Sequence, residues 1–127
     1  MWVDFDWLTV DFASDEAIYV QLHNKIIEAI AAERLVEGNS LPSVRQLADN
    51  VGINMHTVNK VYAILKQEGY ITLDRRNGAV ITLDIDKLKA AQQLRADMRK
   101  IVARAVCSQL NSDEIHKIVD DVIGEFN

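Results

Sequence analysis

The sequence predicts a mainly α-helical protein with one small β-hairpin, on three observations. Residues 41 to 82, LPSVRQLADNVGINMHTVNKVYAILKQEGYITLDRRNGAVIT, run as helix, glycine turn, helix and hairpin with no spare residues between them. Asn77-Gly78 lies between two short β-branched runs, a strong hairpin signal because both positions tolerate positive φ. After Asp84 about forty residues of helix-forming sequence contain no proline, and no glycine before Gly124. The pattern is a winged helix-turn-helix over residues 1–84 followed by a two-helix extension over residues 85–127. In such a head one helix is presented to the major groove of DNA.

Each element has a local reason. In the first dozen residues Val3, Phe5 and Trp7 alternate with Asp4 and Asp6, a period of two that predicts a half-buried strand. Ser14 or Asp15 caps a first helix in which Tyr19, Leu22, Ile26, Ala29 and Ile30 share one face. Gly38 and Asn39 end the connection, and Pro42, the single proline, opens the next unit. Ser43 and Gln46 form a capping box, so the second helix starts at Val44 and turns Val44, Leu47, Ala48 and Val51 inward. Gly52 supplies the turn, and Asn54 caps a third helix running to about Glu68 and ended by Gly69. Its apolar stripe is Val58, Val61, Tyr62 and Leu65. Tyr70–Leu73 and Ala79–Leu83 are the strands, joined by the tip Asp-Arg-Arg-Asn-Gly.

In the extension, Ala91, Leu94, Met98, Ile101 and Ala105 step by three and four, flanked by Val102 and Val106. Ser112 caps a shorter helix carrying Ile115, Val119, Val122 and Phe126. Two amphipathic helices cannot bury these faces against so small a head. Pairing with a second copy is the expected solution, because self-complementary twofold interfaces are the commonest oligomers. The residues expected at that interface are Ala91, Leu94, Met98, Ile101, Val102, Ala105, Ile115, Val119 and Val122.

Composition narrows the function classes. At 127 residues the chain can bury one modest core plus an extension, but no second ligand-binding domain. The lone Cys107 allows no intrachain disulfide and no cysteine-based zinc site; amid Ala105, Val106 and Leu110 it reads as a small core residue. A cytoplasmic location follows, with no membrane association: no apolar stretch nears about 18 residues, and the N-terminus is acidic where a signal peptide is basic. The net charge of −5 is unevenly spread. Residues 34 to 83 hold six basic against four acidic side chains, while the remainder holds eight against fifteen. A mildly basic head on an acidic chain still binds phosphate, since exposed charges beyond roughly 10 Å are screened at physiological salt.

The DNA-facing candidates follow from helix-turn-helix geometry, in which the first turn of the recognition helix faces base edges. They are Asn54, Met55, His56, Thr57, Asn59 and Lys60. Asn59 suits an adenine edge, Met55 a thymine methyl, His56 a base or phosphate, and Lys60 a guanine edge or a phosphate. Ser43 and Arg45 open the second helix, where a guanidinium and a helix N-terminus together attract phosphate. Arg75 and Arg76 at the wing tip lie along the backbone or enter the minor groove, with Gly78 allowing close approach. An exposed polar helix face is often merely solvated, and Thr57 has an equally good local role beside the cap. Tyr62 and Tyr70 read as core.

Enzyme chemistry finds no support. His23, His56 and His116 sit in three separate elements, and His116 with Asp120 is the one helical pair at ligand spacing. No glycine-rich phosphate loop, serine elbow or activated cysteine is present, and neither cofactor nor metal is expected. The alternative left open is a winged-helix protein-interaction module without specific DNA binding, which the acidic total charge favours. A small-molecule effector between the tail helices is compatible with the DNA-binding reading and is not identified by the residues.

With LPSVRQLADNVGINMHTVNKVYAILKQEGYI on the page, the chain resembles the GntR family of bacterial transcription regulators over Leu41 to Val80. The upstream IYVQLHNKIIEAI is similar to the family's first helix. The resemblance places Arg45, Thr57 and Gly78 on positions the family uses at DNA, and Asn54, Met55, His56 and Asn59 on its recognition-helix contacts. Many members carry arginine where Met55 and Asn59 stand, and the YtrA-type branch often has proline where Ala17 stands. The short tail resembles the YtrA-type branch, which implies a homodimeric repressor on double-stranded operator DNA, often of transporter operons, with no separate sensing domain.

Overall fold

The computed structural model describes residues 5–127, arranged as two compact units, Met1–Asp84 and Ile85–Asn127. In the first, α1 (Ile18–Ala31), α2 (Val44–Val51) and α3 (Met55–Gln67) precede an antiparallel hairpin of β1 (Ile71–Asp74) and β2 (Gly78–Ile81). The second holds α4 (Lys87–Cys107) and α5 (Ser112–Gly124).

The half-buried strand expected at the N-terminus does not form in the described part of that segment. Residues 6 and 7 make a turn in which the Leu8 N–H donates to the Phe5 carbonyl at 2.9 Å, and Leu8 is the residue that enters the core. An alternating pattern becomes a strand only beside a free sheet edge, and here Phe5, Trp7 and Val10 pack instead on the helical core. Val3 and Asp4 lie outside the described residues.

Helix α1 begins at Ile18, later than a cap at Ser14 or Asp15 would place it, and Ala17 at its N-cap makes no side-chain bond. The Ser14 hydroxyl instead accepts the Glu16 N–H at 3.1 Å. Gln21 organises the approach: its amide donates to the carbonyls of Asp11 (3.0 Å) and Glu16 (2.8 Å), and its oxygen accepts the Asp11 N–H at 2.8 Å. That explains a buried glutamine on an otherwise apolar face, since a buried amide must be satisfied. Leu22, Ile26 and Ala29 are buried as expected, with Tyr19 and Ile30 packed at the margin.

The capping box of α2 forms as its sequence predicts. Ser43 Oγ accepts the Gln46 N–H and Gln46 Oε1 accepts the Ser43 N–H, each at 3.1 Å. Leu47 and Ala48 are buried, and Val44 and Val51 flank them. Gly52 takes the left-handed φ of +82° that ends the helix and starts the turn. Asn54 caps α3 by accepting the His56 N–H at 2.8 Å, and Val58, Val61, Tyr62 and Leu65 are all buried.

The hairpin is tighter than the five-residue tip Asp-Arg-Arg-Asn-Gly. Asp74 pairs with Gly78, so Arg75, Arg76 and Asn77 form a three-residue tip, and Gly78 (φ +71°) takes the positive φ while Asn77 does not. Asp74 causes this by capping the loop through its carboxylate. The other edge of β2 has a partner that no local pattern marks. Gly38 N–H donates to the Ile81 carbonyl, Ile81 N–H to Asn39, and Leu41 N–H to Ala79, with an isolated bridge between Ser40 and Val80. The segment leading into α2 thus holds the free edge of β2 and fastens the wing to the core.

In the second unit Asp86 caps α4 by accepting the Leu88 and Lys89 N–H groups. Asn111, not Ser112, caps α5: its Oδ1 accepts the Glu114 N–H at 2.9 Å while Glu114 Oε1 accepts the Asn111 N–H at 3.0 Å. The reciprocal bond needs a carboxylate three residues on, and only a cap at Asn111 places Glu114 there. Neither helix has a buried residue, though Met98, Val102, Ala105, Ile115 and Val119 are half-buried. Cys107 is correspondingly exposed rather than a core residue, because this unit has no core within one chain.

Candidate nucleic-acid interface

Three pieces of the first unit carry the candidate residues: the N-terminus of α2, the first turns of α3, and the wing tip. Tyr62 joins the first two. Its hydroxyl donates to the Pro42 carbonyl at 2.7 Å, and burial pushes the phenol well above its ordinary pKa. A groove between α2 and the hairpin brings Ser43 and Gln46 opposite Asp74, Asn77 and Gly78, with Tyr62 among its lining residues.

The exposed face of α3 follows from its buried stripe. At about 100° per residue, the direction opposite Val58, Val61, Tyr62 and Leu65 runs through His56, with Asn59 and Ala63 to one side and Lys60 to the other. His56 is therefore the first-turn side chain that points most directly away from the core, and it is exposed. Asn59 is exposed with no hydrogen bond to the described residues, so its amide is free to pair. Met55, at 41% exposure, sits on a flank, an apolar side chain left open to solvent. Thr57 is half-buried on the opposite flank, which limits its reach. Asn54 has its oxygen engaged as the cap, leaving its amide nitrogen for an outside acceptor.

Lys60 is not a freely solvated amine. Its Nζ lies 3.7 Å from the centroid of the Tyr19 ring on α1, a cation–π contact. At the start of α2, Arg45 is exposed, and Ser43 Oγ uses a lone pair for Gln46 while its own O–H remains available.

At the tip, Asp74 Oδ1 accepts the Arg76 N–H at 2.8 Å and Oδ2 accepts from the Asn77 amide at 3.1 Å. The Arg76 N–H, then the Asn77 side chain, hold the Asp74 carboxyl below its usual pKa. Arg75 and Arg76 are exposed and form no ion pair among the described residues. A Cβ at Gly78 would meet nothing within 4 Å, so its need for glycine lies in the backbone angle, not in crowding.

Asp74, Tyr19 and the Pro42–Tyr62 bond are participants that residue patterns did not single out. An aspartate three residues before Asn-Gly is a recognisable loop cap, so Asp74 was open to discovery. The Tyr19–Lys60 pair, 41 positions apart, left no local trace. His116 does not pair with Asp120; its Nδ1 contacts the Ser112 carbonyl at 2.8 Å on the preceding turn.

Comparisons with known proteins accord with this arrangement. The family model described as "Bacterial regulatory proteins, gntR family" matches residues 18–81, from the first residue of α1 to the last of β2. The chain is 33% identical over 101 residues to the HTH-type transcriptional regulator Rv1152 of Mycobacterium tuberculosis, covering 80% of this chain and 83% of that one. Among solved structures it is similar to a transcriptional antiterminator from Listeria monocytogenes EGD-e, with a TM-score of 0.80 at 30% identity, covering 89% and 87% of the two chains. It is also similar to YtrA from Sulfolobus acidocaldarius, a GntR-family transcription factor, with a TM-score of 0.56 at 37% identity, covering 91% and 96%. The chain belongs to the gntR family of bacterial regulatory proteins, in its YtrA-type branch, and is a transcriptional regulator with a DNA-binding domain.

Proposed function

We propose that the protein is a cytoplasmic repressor that binds a twofold-related operator as a homodimer. Met1–Asp84 serves as the DNA-binding domain and Ile85–Asn127 as the dimerisation element. The observation that carries the reading is the open face of α3, where His56 and Asn59 are exposed beside a wing whose two arginines have no ion pair among the described residues. In this assignment His56, Asn59 and Met55 address base edges. Ser43, Arg45, Lys60, Arg75, Arg76 and the Gly78 backbone hold phosphates, with Asn54 and Thr57 at the margin of the contact.

Pairing is supported by what α4 and α5 leave uncovered. Leu94, Ile101, Val106, Ile118, Val122 and Ile123 are each between 46% and 62% exposed, far more apolar surface than a tail of this size keeps in water. Met98, Val102, Ala105, Ile115 and Val119 are partly covered within one chain, and Ala91 is exposed. A second copy buries both sets. Repression follows if the occupied operator overlaps a promoter and excludes the polymerase.

The test is selection of binding sites from a random duplex pool, combined with sedimentation at micromolar concentration. The expected result is a dimer and an enriched sequence with two related half-sites about 34 Å apart or a multiple of that. A monomer that enriches no sequence at low salt would instead favour a protein-interaction module.

A further inference from the structure

We propose that Tyr19 is a positioning residue for DNA binding: its ring holds Lys60 on the α1 flank of the recognition helix, where the ammonium meets a backbone phosphate and not a base edge. This rests on the reading of α3 as the recognition helix.

The geometry supplies each step. An α-helix with its side chains is about 10–12 Å across and the major groove about 12 Å wide, so residues on the midline of an inserted helix face bases and those on its flanks face the bounding strands. His56 lies on that midline; Lys60 leaves the helix only about 40° round from it, on the side opposite Asn59, so helix phase alone would let its ammonium reach either a base edge or a strand. The contact decides between them: the Lys60 ammonium, 3.7 Å from the Tyr19 ring centroid, is held against α1 rather than over His56. The ring occupies one side of the ammonium and leaves N–H donors pointing outward. A lysine side chain otherwise loses much rotamer freedom on binding phosphate, and a ring that restrains it beforehand removes part of that cost. Tyr19 reaches this position from the first turn of α1, whose Leu22, Ile26 and Ala29 are locked in the core, so the platform is rigid. Of the positive side chains assigned to DNA, Lys60 is the one fixed this way; Arg45, Arg75 and Arg76 have no aromatic partner among the described residues.

The test uses the full-length chain and two duplexes, one carrying the selected operator and one of scrambled sequence, titrated over a salt series. Lys60→Met should weaken both duplexes alike and lower the salt slope by about one unit, the signature of one lost phosphate contact. Tyr19→Leu should weaken both by about two- to fivefold, part of the cost of immobilising one long side chain on binding. Tyr19→Phe, which keeps the ring face, should rescue that loss. In the Lys60→Met background Tyr19→Leu should have no further effect, since the two residues act through one contact.

Any of the following results would overturn the proposal. Lys60→Met could relax discrimination at a single base pair, which makes Lys60 a base reader. Tyr19→Leu could cost as much without Lys60 as with it, which makes Tyr19 a packing residue of α1. Tyr19→Phe could bind as weakly as Tyr19→Leu, which assigns the effect to the hydroxyl. If the wild-type chain binds neither duplex at low salt, the recognition-helix reading itself fails and this inference falls with it; wild-type binding with unaltered variants removes the inference alone.

Discussion

The Asp74 carboxylate accepts the Arg76 N–H at 2.8 Å, so an acidic residue shapes the tip of the wing that carries two arginines. The bond closes a three-residue loop and leaves the side chains of Arg75 and Arg76 outside it. Its effect is therefore on order in the loop rather than on neutralising the arginines.

Asp74 should make the wing tip sensitive to acid. Its carboxyl is held below the ordinary value, first by the Arg76 N–H. A depressed carboxyl contributes order above its unfolded pKa and loses it as pH falls through the folded one. The Arg76 amide resonance should thus titrate at lower pH than an ordinary aspartate, and Asp74→Ala should abolish the transition and raise amide exchange at the tip. An Arg76 amide that titrates at the ordinary aspartate value would contradict this.

Tyr62→Phe should cost about 1 kcal/mol, the usual worth of one hydrogen bond, here the 2.7 Å bond to the Pro42 carbonyl. The phenol, raised above its unfolded value by burial, favours folding fully below about pH 10, and that contribution is lost as pH rises through the folded value. Chemical denaturation should show the alkaline decline of the wild type flattened in Tyr62→Phe. Equal alkaline slopes in the two proteins would rule out Tyr62 as its source.

The wing arginines should act on affinity and not on stability. Arg75→Ala with Arg76→Ala is expected to lower the slope of log binding constant against log salt by up to about two units, with little change in the thermal midpoint. An unchanged slope in a salt titration would remove the wing from the contact.

Charge placed on the tail should separate the copies. Leu94→Glu and Ile101→Glu introduce carboxylates at positions 62% and 61% exposed in the single chain, where they cost little until a partner must bury them. Sedimentation should report a monomer, and operator affinity should fall well over tenfold through loss of the linked second half-site. A dimer that survives both substitutions at micromolar concentration would place the interface elsewhere.

Elements closed by short-range bonds were legible in advance. The Ser43–Gln46 box, the Asn54 cap, the Gly52 turn and the Val58, Val61, Tyr62, Leu65 stripe each depend on residues within a few positions of one another, and each appears as its pattern implies. Errors fell where two local options competed. Asn111 displaced Ser112 as a cap because Glu114 completes its box, and Asp74 and Gly78, expected in a five-residue tip, pair with each other and leave three residues in the loop.

By itself the sequence determined the helix-turn-helix and hairpin, and with them the family, because periodicity, caps and turns are encoded between near neighbours. Only the tertiary structure decided which long-range partners those elements have. Residues 5–8 of the alternating N-terminus found no sheet edge and make a turn; residues 38–41 took the open edge of β2; His23 on α1 reached Glu68 at the end of α3. Lys60, one polar residue among several on an exposed face, was set apart by Tyr19, 41 positions away. Such pairs depend on how helices cross, a property of packed volume that no single segment carries.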